Sequence, residues 1–105
     1  LFVCSGNVSR SPTAEALFKH CEGFEVRSAG TSASSPNPIG EDLVMWADVI
    51  FAMEEEHRIA IAKRFPRAED KIEVLNIEDV YQRNDPMLVM ILKRKLASYF
   101  NYKLR

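Results

Sequence analysis

Cysteine is scarce in this 105-residue chain, with Cys4 and Cys21 the only two, which excludes a fold stapled by several disulfides and leaves reduced thiols as the expected state. Long apolar runs are missing as well: no stretch approaches the ~20 residues of a membrane-spanning helix. Neither sign of charge is in excess. The 14 basic and 15 acidic side chains give a formal net charge of −1, which supplies no argument for a nucleic-acid or membrane partner. Leu1 to Cys4 is too short an apolar stretch for a secretory leader, and a polar loop follows it at once. His20 and His57 lack companions at metal-ligand spacing, so no metal and no other cofactor is expected. Repeats and low-complexity tracts are absent too.

What is present suits one small α/β domain. With 47% hydrophobic residues the chain can bury a single core, and residues 1–105 are expected to form one domain. Leu1-Phe2-Val3 is a short β-favouring run, and Ala14, Leu17, Phe18 and Cys21 recur at helical spacing. Cys21, on the apolar face of that helix, reads as a small buried hydrophobe. Phe24 to Ser28 alternates like a second strand. Ser28 to Gly40, with Pro36 and Pro38, marks the longest loop. Glu41 to Trp46 predicts a short helix, and Asp48 to Met53 a buried third strand. Glu54 to Phe65 reads as a charged helix with Ile59, Ala62 and Phe65 inward, ended by Pro66. Lys71 to Leu75 makes a fourth strand. Asn76 to Asp85 is a polar loop, and Met87 to Lys103 a helix with Leu88, Ile91, Leu92, the stem of Lys95 and Tyr99 along one stripe. Alternation of strand and helix predicts a parallel sheet with helices on both faces and ligands at the carboxyl ends of its strands.

The chemistry concentrates where the first strand meets the first helix. Cys4-Ser5-Gly6-Asn7-Val8-Ser9-Arg10-Ser11-Pro12 places five residues between a thiol and a guanidinium. Ser11 suits the helix cap and Pro12 its first position, so loop amides and the helix N-terminus converge on one anion-sized cradle. Gly6 and Asn7 are residue types that reach left-handed backbone angles cheaply, which lets successive N–H groups form a nest. Arg10 adds a planar fork for two phosphoryl oxygens. A field of that sign favours the thiolate, the nucleophilic form of a cysteine, and Ser11 is placed to donate a hydrogen bond to the sulfur. Ser5, Gly6, Asn7, Val8, Ser9 and Ser11 are therefore the candidate substrate-binding residues, with inorganic phosphate or sulfate as simple ligands of the loop.

Cys4 to Pro12, followed by Thr13-Ala14-Glu15, resembles the phosphate loop and first helix of low-molecular-weight protein tyrosine phosphatases. Ser28-Ala29-Gly30-Thr31, Ala47 to Met53 and Asp85-Pro86 follow in that family's order. The resemblance implies a four-stranded parallel sheet of order 2-1-3-4 in a three-layer sandwich, and hydrolysis of a phosphomonoester on a phosphorylated protein or a small molecule. It implies Cys4 as nucleophile, Arg10 as clamp and Asp85 as general acid; Asp79, in the same loop as Asp85, is the fallback donor. A catalytic thiolate needs a reducing compartment, so the cytoplasm is the expected location.

The chain departs from the family in three places. Ser9 stands where many relatives carry a second cysteine, Met87 and Leu88 follow Asp85-Pro86 in place of tyrosines, and the stretch from Thr31 to Trp46 is shorter than usual. These mark a compact branch. They keep open a phosphate-binding module without catalysis. The resemblance itself adds an arsenate reductase as an alternative, since related proteins reuse the loop for that oxyanion, though it would need more cysteines than Cys21 to relay electrons. Physiological substrate, whether phosphotyrosine, phosphoarginine or a metabolite, is not encoded in the loop itself. Trp46 reads as packing and Tyr81 as a candidate wall of the site. With Ser9 unable to form a protective disulfide, peroxide is expected to inactivate Cys4 with little recovery on adding thiol; full recovery in an activity assay would instead make Cys21 a resolving partner.

Overall fold

A computed structural model describes residues 1–100. The elements run β1 (Phe2–Cys4), α1 (Arg10–Phe18), β2 (Ser28–Gly30), α2 (Glu41–Trp46), β3 (Ile50–Ala52), α3 (Glu55–Arg64), a 3₁₀ helix (Pro66–Lys71), β4 (Ile72–Val74) and α4 (Pro86–Phe100). The four strands form one parallel sheet in the order β2-β1-β3-β4, as the family resemblance implied. Because every strand points the same way, Cys4, Gly30, Ala52 and Val74 all end at one edge. That edge gathers segments far apart in sequence.

Strand side chains alternate between two apolar layers, as a sheet covered on both faces requires. Phe2, Cys4, Phe51 and Met53 face Ala14 and Phe18 of α1 and Leu88, Leu92, Leu96 and Phe100 of α4. Leu1, Val3 and Ile50 face Val44 of α2, Ile61 of α3 and Ala68 of the 3₁₀ helix. Aromatic rings dominate the first layer. Phe18 stacks on Phe2 with centroids 5.9 Å apart and on Phe100 at 4.4 Å.

Several boundaries differ from the sequence expectations for physical reasons. Phe24 to Arg27 is not strand, and only Ser28 to Gly30 pairs with β1. The alternating Phe24 and Val26 pack on the first layer instead, Phe24 lying 4.6 Å from Phe100 between ring centroids. The long loop therefore begins after Gly30.

On α3 the buried side chains are His57 and Ile61, while Ile59 is 53% exposed. Ile59 lies two positions after His57, about 200° around a helix, so whatever turns His57 inward turns Ile59 outward. On α4 the buried stripe is Leu88, Leu92, Leu96 and Phe100, with Ile91 partly buried against the same layer. Lys95 and Tyr99 lie on the exposed side, although the Tyr99 ring meets Phe51 edge-on. The predicted end of that helix at Lys103 lies outside the described residues.

Trp46 packs on the second layer, with the Arg27 guanidinium 4.4 Å above its ring. Cys21 and Tyr81 are partly buried against the first layer. Replacing Phe18 by alanine is expected to cost about 3–5 kcal/mol in denaturant unfolding, because both the ring and its two stacking partners lose contacts. Ile59→Ala should fall within about 0.5 kcal/mol of the parent.

Candidate active site

Five residues connect β1 to α1 and surround the Cys4 thiol. Asn7 takes a φ of 53°, the left-handed conformation that an asparagine tolerates better than most side chains. Gly6 was expected to share that role, and its φ is not positive. The glycine whose size matters is Gly30: a Cβ there would sit 2.6 Å from Ser35 Cβ and 2.7 Å from the Ser5 carbonyl oxygen. Thr31 N donates to Cys4 O, and Ser32 N to Ser5 O. The segment after β2 thus lies directly on the start of the loop, a closeness only a glycine permits.

Helix α1 begins at Arg10, with Ser9 as N-cap and no side-chain cap bond. Ser11 does not cap. Its hydroxyl lies 3.0 Å from Cys4 Sγ and accepts a hydrogen bond from Asn7 Nδ2 at 2.9 Å. The direction of that network follows from its anionic end. Ser28 Oγ donates to Glu15 Oε1, so it accepts the second Nδ2 hydrogen of Asn7, at 3.0 Å. With Asn7 donating to both serines, the Ser11 hydrogen is free to point at sulfur, its alternative acceptor Ala29 O being farther away at 3.4 Å.

Arg10 is 1% exposed. Its Nη1 donates to Glu54 Oε1 at 2.5 Å and to the carbonyl of Ile77 at 2.7 Å. Asp79 Oδ1 approaches Nε at 3.6 Å, beyond hydrogen-bond range, and Nε is buried with no hydrogen-bond partner among the described residues. One side of the guanidinium is thus fastened to the protein while Nε keeps an unspent donor. An orphaned buried N–H is costly unless a ligand completes it.

Glu54 and His57 are the residues sequence reasoning missed. Glu54 was read only as the opening of a helix, which it is, and its carboxylate also anchors Arg10. Its backbone N–H donates to His57 Nδ1 at 2.9 Å, and His57 Nε2 lies 2.8 Å from Ser5 Oγ. Since Nδ1 accepts, Nε2 carries the hydrogen and donates to Ser5. Burial, and then the Arg10 cation, hold the His57 pKa below its ordinary value, in keeping with that neutral form. Glu54, Glu56 and His57 bring potential metal-ligand atoms within 4.8 Å of one another. Both ring nitrogens of His57 are already committed, which leaves no lone pair for an ion.

Asp85 lies at the amino end of α4, where Oδ1 accepts from Met87 N at 2.8 Å and its carbonyl accepts from Val89 N. The turn character expected of Asn-Asp-Pro is present, with Asn84 at a φ of 63°. Asn84 N donates to Thr13 Oγ1 at 2.9 Å, and Thr13 Oγ1 donates to the Ser9 carbonyl at 2.7 Å. Those two bonds tie the residue before Asp85 to the last residue of the loop between β1 and α1. Val8, in the middle of the loop, is 63% exposed.

Comparison with known proteins agrees with this geometry. Residues 1–44 match the family model for low molecular weight phosphotyrosine protein phosphatase. A Bacillus subtilis (strain 168) protein named protein-arginine-phosphatase is 39% identical over 100 residues, covering 69% of this chain and 66% of that protein. The chain spans just under two thirds of the length of the curated relatives it matches. Among solved structures, a YwlE arginine phosphatase variant with a phosphorylated active-site serine is 30% identical, with a TM-score of 0.72 over 95% of this chain and 93% of that one. The tyrosine phosphatase Wzb from Escherichia coli K30 in complex with phosphate shares the fold, with a TM-score of 0.81 over 96% of this chain and 94% of that one, at 19% identity.

Gly30→Ala is expected to cost about 1–3 kcal/mol of stability, since neither the Ser5 backbone nor Ser35 Cβ can swing aside, and to weaken phosphate binding in a calorimetric titration. Gly40→Ala, where a Cβ meets nothing within 4 Å, should leave phosphate affinity unchanged.

Proposed function

Because the chain belongs to the low-molecular-weight protein tyrosine phosphatase family, we propose that it hydrolyses the phosphoryl group of a phosphorylated protein side chain through a cysteinyl-phosphate intermediate, with phosphotyrosine as the leading substrate. The observation that carries this reading is the pairing of Cys4, held at 3.0 Å by Ser11, with an Arg10 whose buried Nε has no hydrogen-bond partner among the described residues.

In the first step the Cys4 thiolate attacks phosphorus. The sulfur–phosphorus bond forms as the bond to the leaving oxygen breaks, and Asp85 gives that oxygen its proton. Arg10 Nε and the loop amides hold the nonbridging oxygens, whose charge is spread most widely in the transition state. In the second step water attacks phosphorus, Asp85 takes the proton, and the sulfur leaves as a thiolate that Ser11 stabilises. Ser5, Gly6, Asn7, Val8 and Ser9 supply the rest of the cradle. Asp85 is preferred to Asp79 as the acid because it stands in the Asp-Pro that the family resemblance makes the donor, whereas Asp79 places Oδ1 3.6 Å from Arg10 Nε.

A nucleophilic thiol needs reducing surroundings, so the cytoplasm is the assigned compartment. Phosphoarginine is the second reading, favoured by the protein-arginine-phosphatase names of the curated relatives. The same attack would then break a phosphorus–nitrogen bond. Turnover of a phosphotyrosine peptide and a phosphoarginine protein side by side separates the two.

Single-turnover hydrolysis of aryl phosphates tests the roles. Cys4→Ser should abolish turnover, and retention of full activity would reject the scheme. Asp85→Asn should slow substrates with poor leaving groups by about 10²–10⁴-fold and activated ones far less. An equal loss on both, together with a selective loss in Asp79→Asn, would move the acid to Asp79.

A further inference from the structure

His57 performs two tasks with one ring. It is 1% exposed, on the first turn of α3, and its two hydrogen bonds run to the two segments that flank the anion cradle. Nδ1 accepts from the N–H of Glu54, the residue that fastens Arg10, while Nε2–H donates to the hydroxyl of Ser5, the residue after the nucleophile. A serine that accepts through a lone pair keeps its own hydrogen to give away. Among the described residues the Ser5 hydroxyl has no other side-chain or backbone hydrogen bond.

We infer that His57 is a positioning residue of the phosphate loop: as a neutral imidazole it holds Ser5 so that the serine hydroxyl donates to an anion in the cradle, and it fixes the backbone at Glu54 from which Arg10 is held. The inference rests on the phosphatase reading for its catalytic consequence, though its effect on anion binding does not depend on turnover. The arrangement works with one tautomer only. A proton on Nδ1 would face the Glu54 N–H, so the protonated ring loses that bond.

The charges facing the ring come from three elements. Arg10 of α1 opposes protonation, while Glu54 and Glu56 at the start of α3 and Asp79 in the β4–α4 loop favour it; burial is the largest influence and opposes it. With the folded-state pKa depressed below that of an unfolded histidine, the contribution is intact above about pH 6.5 and is lost as pH falls further through the folded value.

Two substitutions separate the tasks. In His57→Asn the amide oxygen replaces Nδ1 at the Glu54 N–H but nothing reaches Ser5. In His57→Gln the longer amide offers an acceptor to Glu54, as in a capping box, and a donor to Ser5. Binding of sulfate, which stays a dianion across the range, is measured by calorimetry from pH 5 to 8 with the melting temperature of each variant. His57→Asn should melt near the parent yet bind sulfate about tenfold more weakly, with Ser5→Ala losing as much and the double variant no more. His57→Gln should restore affinity and remove the part of the acid-side loss that the parent shows below about pH 6.5. Equal affinity in all variants, or equal losses in Asn and Gln variants that track melting temperature, would overturn the inference. If the parent binds sulfate in this pattern but hydrolyses no phosphoester, the phosphatase reading fails while the role of His57 stands.

Discussion

The burial of the Arg10 guanidinium is the constraint on which the rest of the site depends. An arginine does not shed its charge, so it enters a protein interior only with fixed partners. Here Nη1 is taken by the Glu54 carboxylate and the Ile77 carbonyl. Those partners follow β3 and β4, while Arg10 itself follows β1. One side chain therefore links three strand ends, and the parallel sheet brings those ends to the same edge. The Nε donor is buried with no hydrogen-bond partner among the described residues, an arrangement that an anion would complete. Preorganisation of this kind is what electrostatic catalysis requires, because the donor need not reorient as charge develops.

A second line of bonds fixes the thiol. It starts at the Glu15 carboxylate and passes through Ser28 and Asn7 to Ser11 and Cys4, each hydroxyl or amide oriented by the one before it. Polar chains of this kind are favourable only when every member is paired. The two supports meet from opposite sides of the loop: Ser28 belongs to β2 at one side of β1, and Glu54 follows β3 at the other. The central position of β1 in the sheet is thus what gives the loop support on both flanks. Gly30 belongs to the same design, since it lets the turn after β2 rest on the backbone of Ser5.

Local pattern made much of this legible. The Cys4 to Pro12 segment, the residue range of α2 and the strands centred on Phe51 and Glu73 follow from apolar runs and turn residues, and strand order followed from family resemblance. What escaped notice depends on tertiary pairing. The alternation of Phe24 and Val26 serves an unpaired segment packed on Phe100, because periodicity reports a buried face and not a hydrogen-bonded neighbour. Helix α3 was read a quarter-turn or more off, since Ile59 looked like its core residue, whereas the His57 bonds to Glu54 and Ser5 favour a rotation that exposes it. Glu54 carries a visible signal, an acid at a helix start, but the macrodipole favours acids there whatever else they bind. Nothing in the sequence near Glu54 points to Arg10, which is 44 positions away.

The claim that these supports exist to present a nucleophilic sulfur to phosphorus is tested most directly by rapid acid quench of the protein mixed with a radiolabelled phosphotyrosine peptide, followed by mapping of the label. The account predicts a transient phosphoenzyme whose label resides on Cys4, formed in a burst with the free tyrosine product. Product release with no labelled protein at any time, or label on a residue other than Cys4, would contradict it.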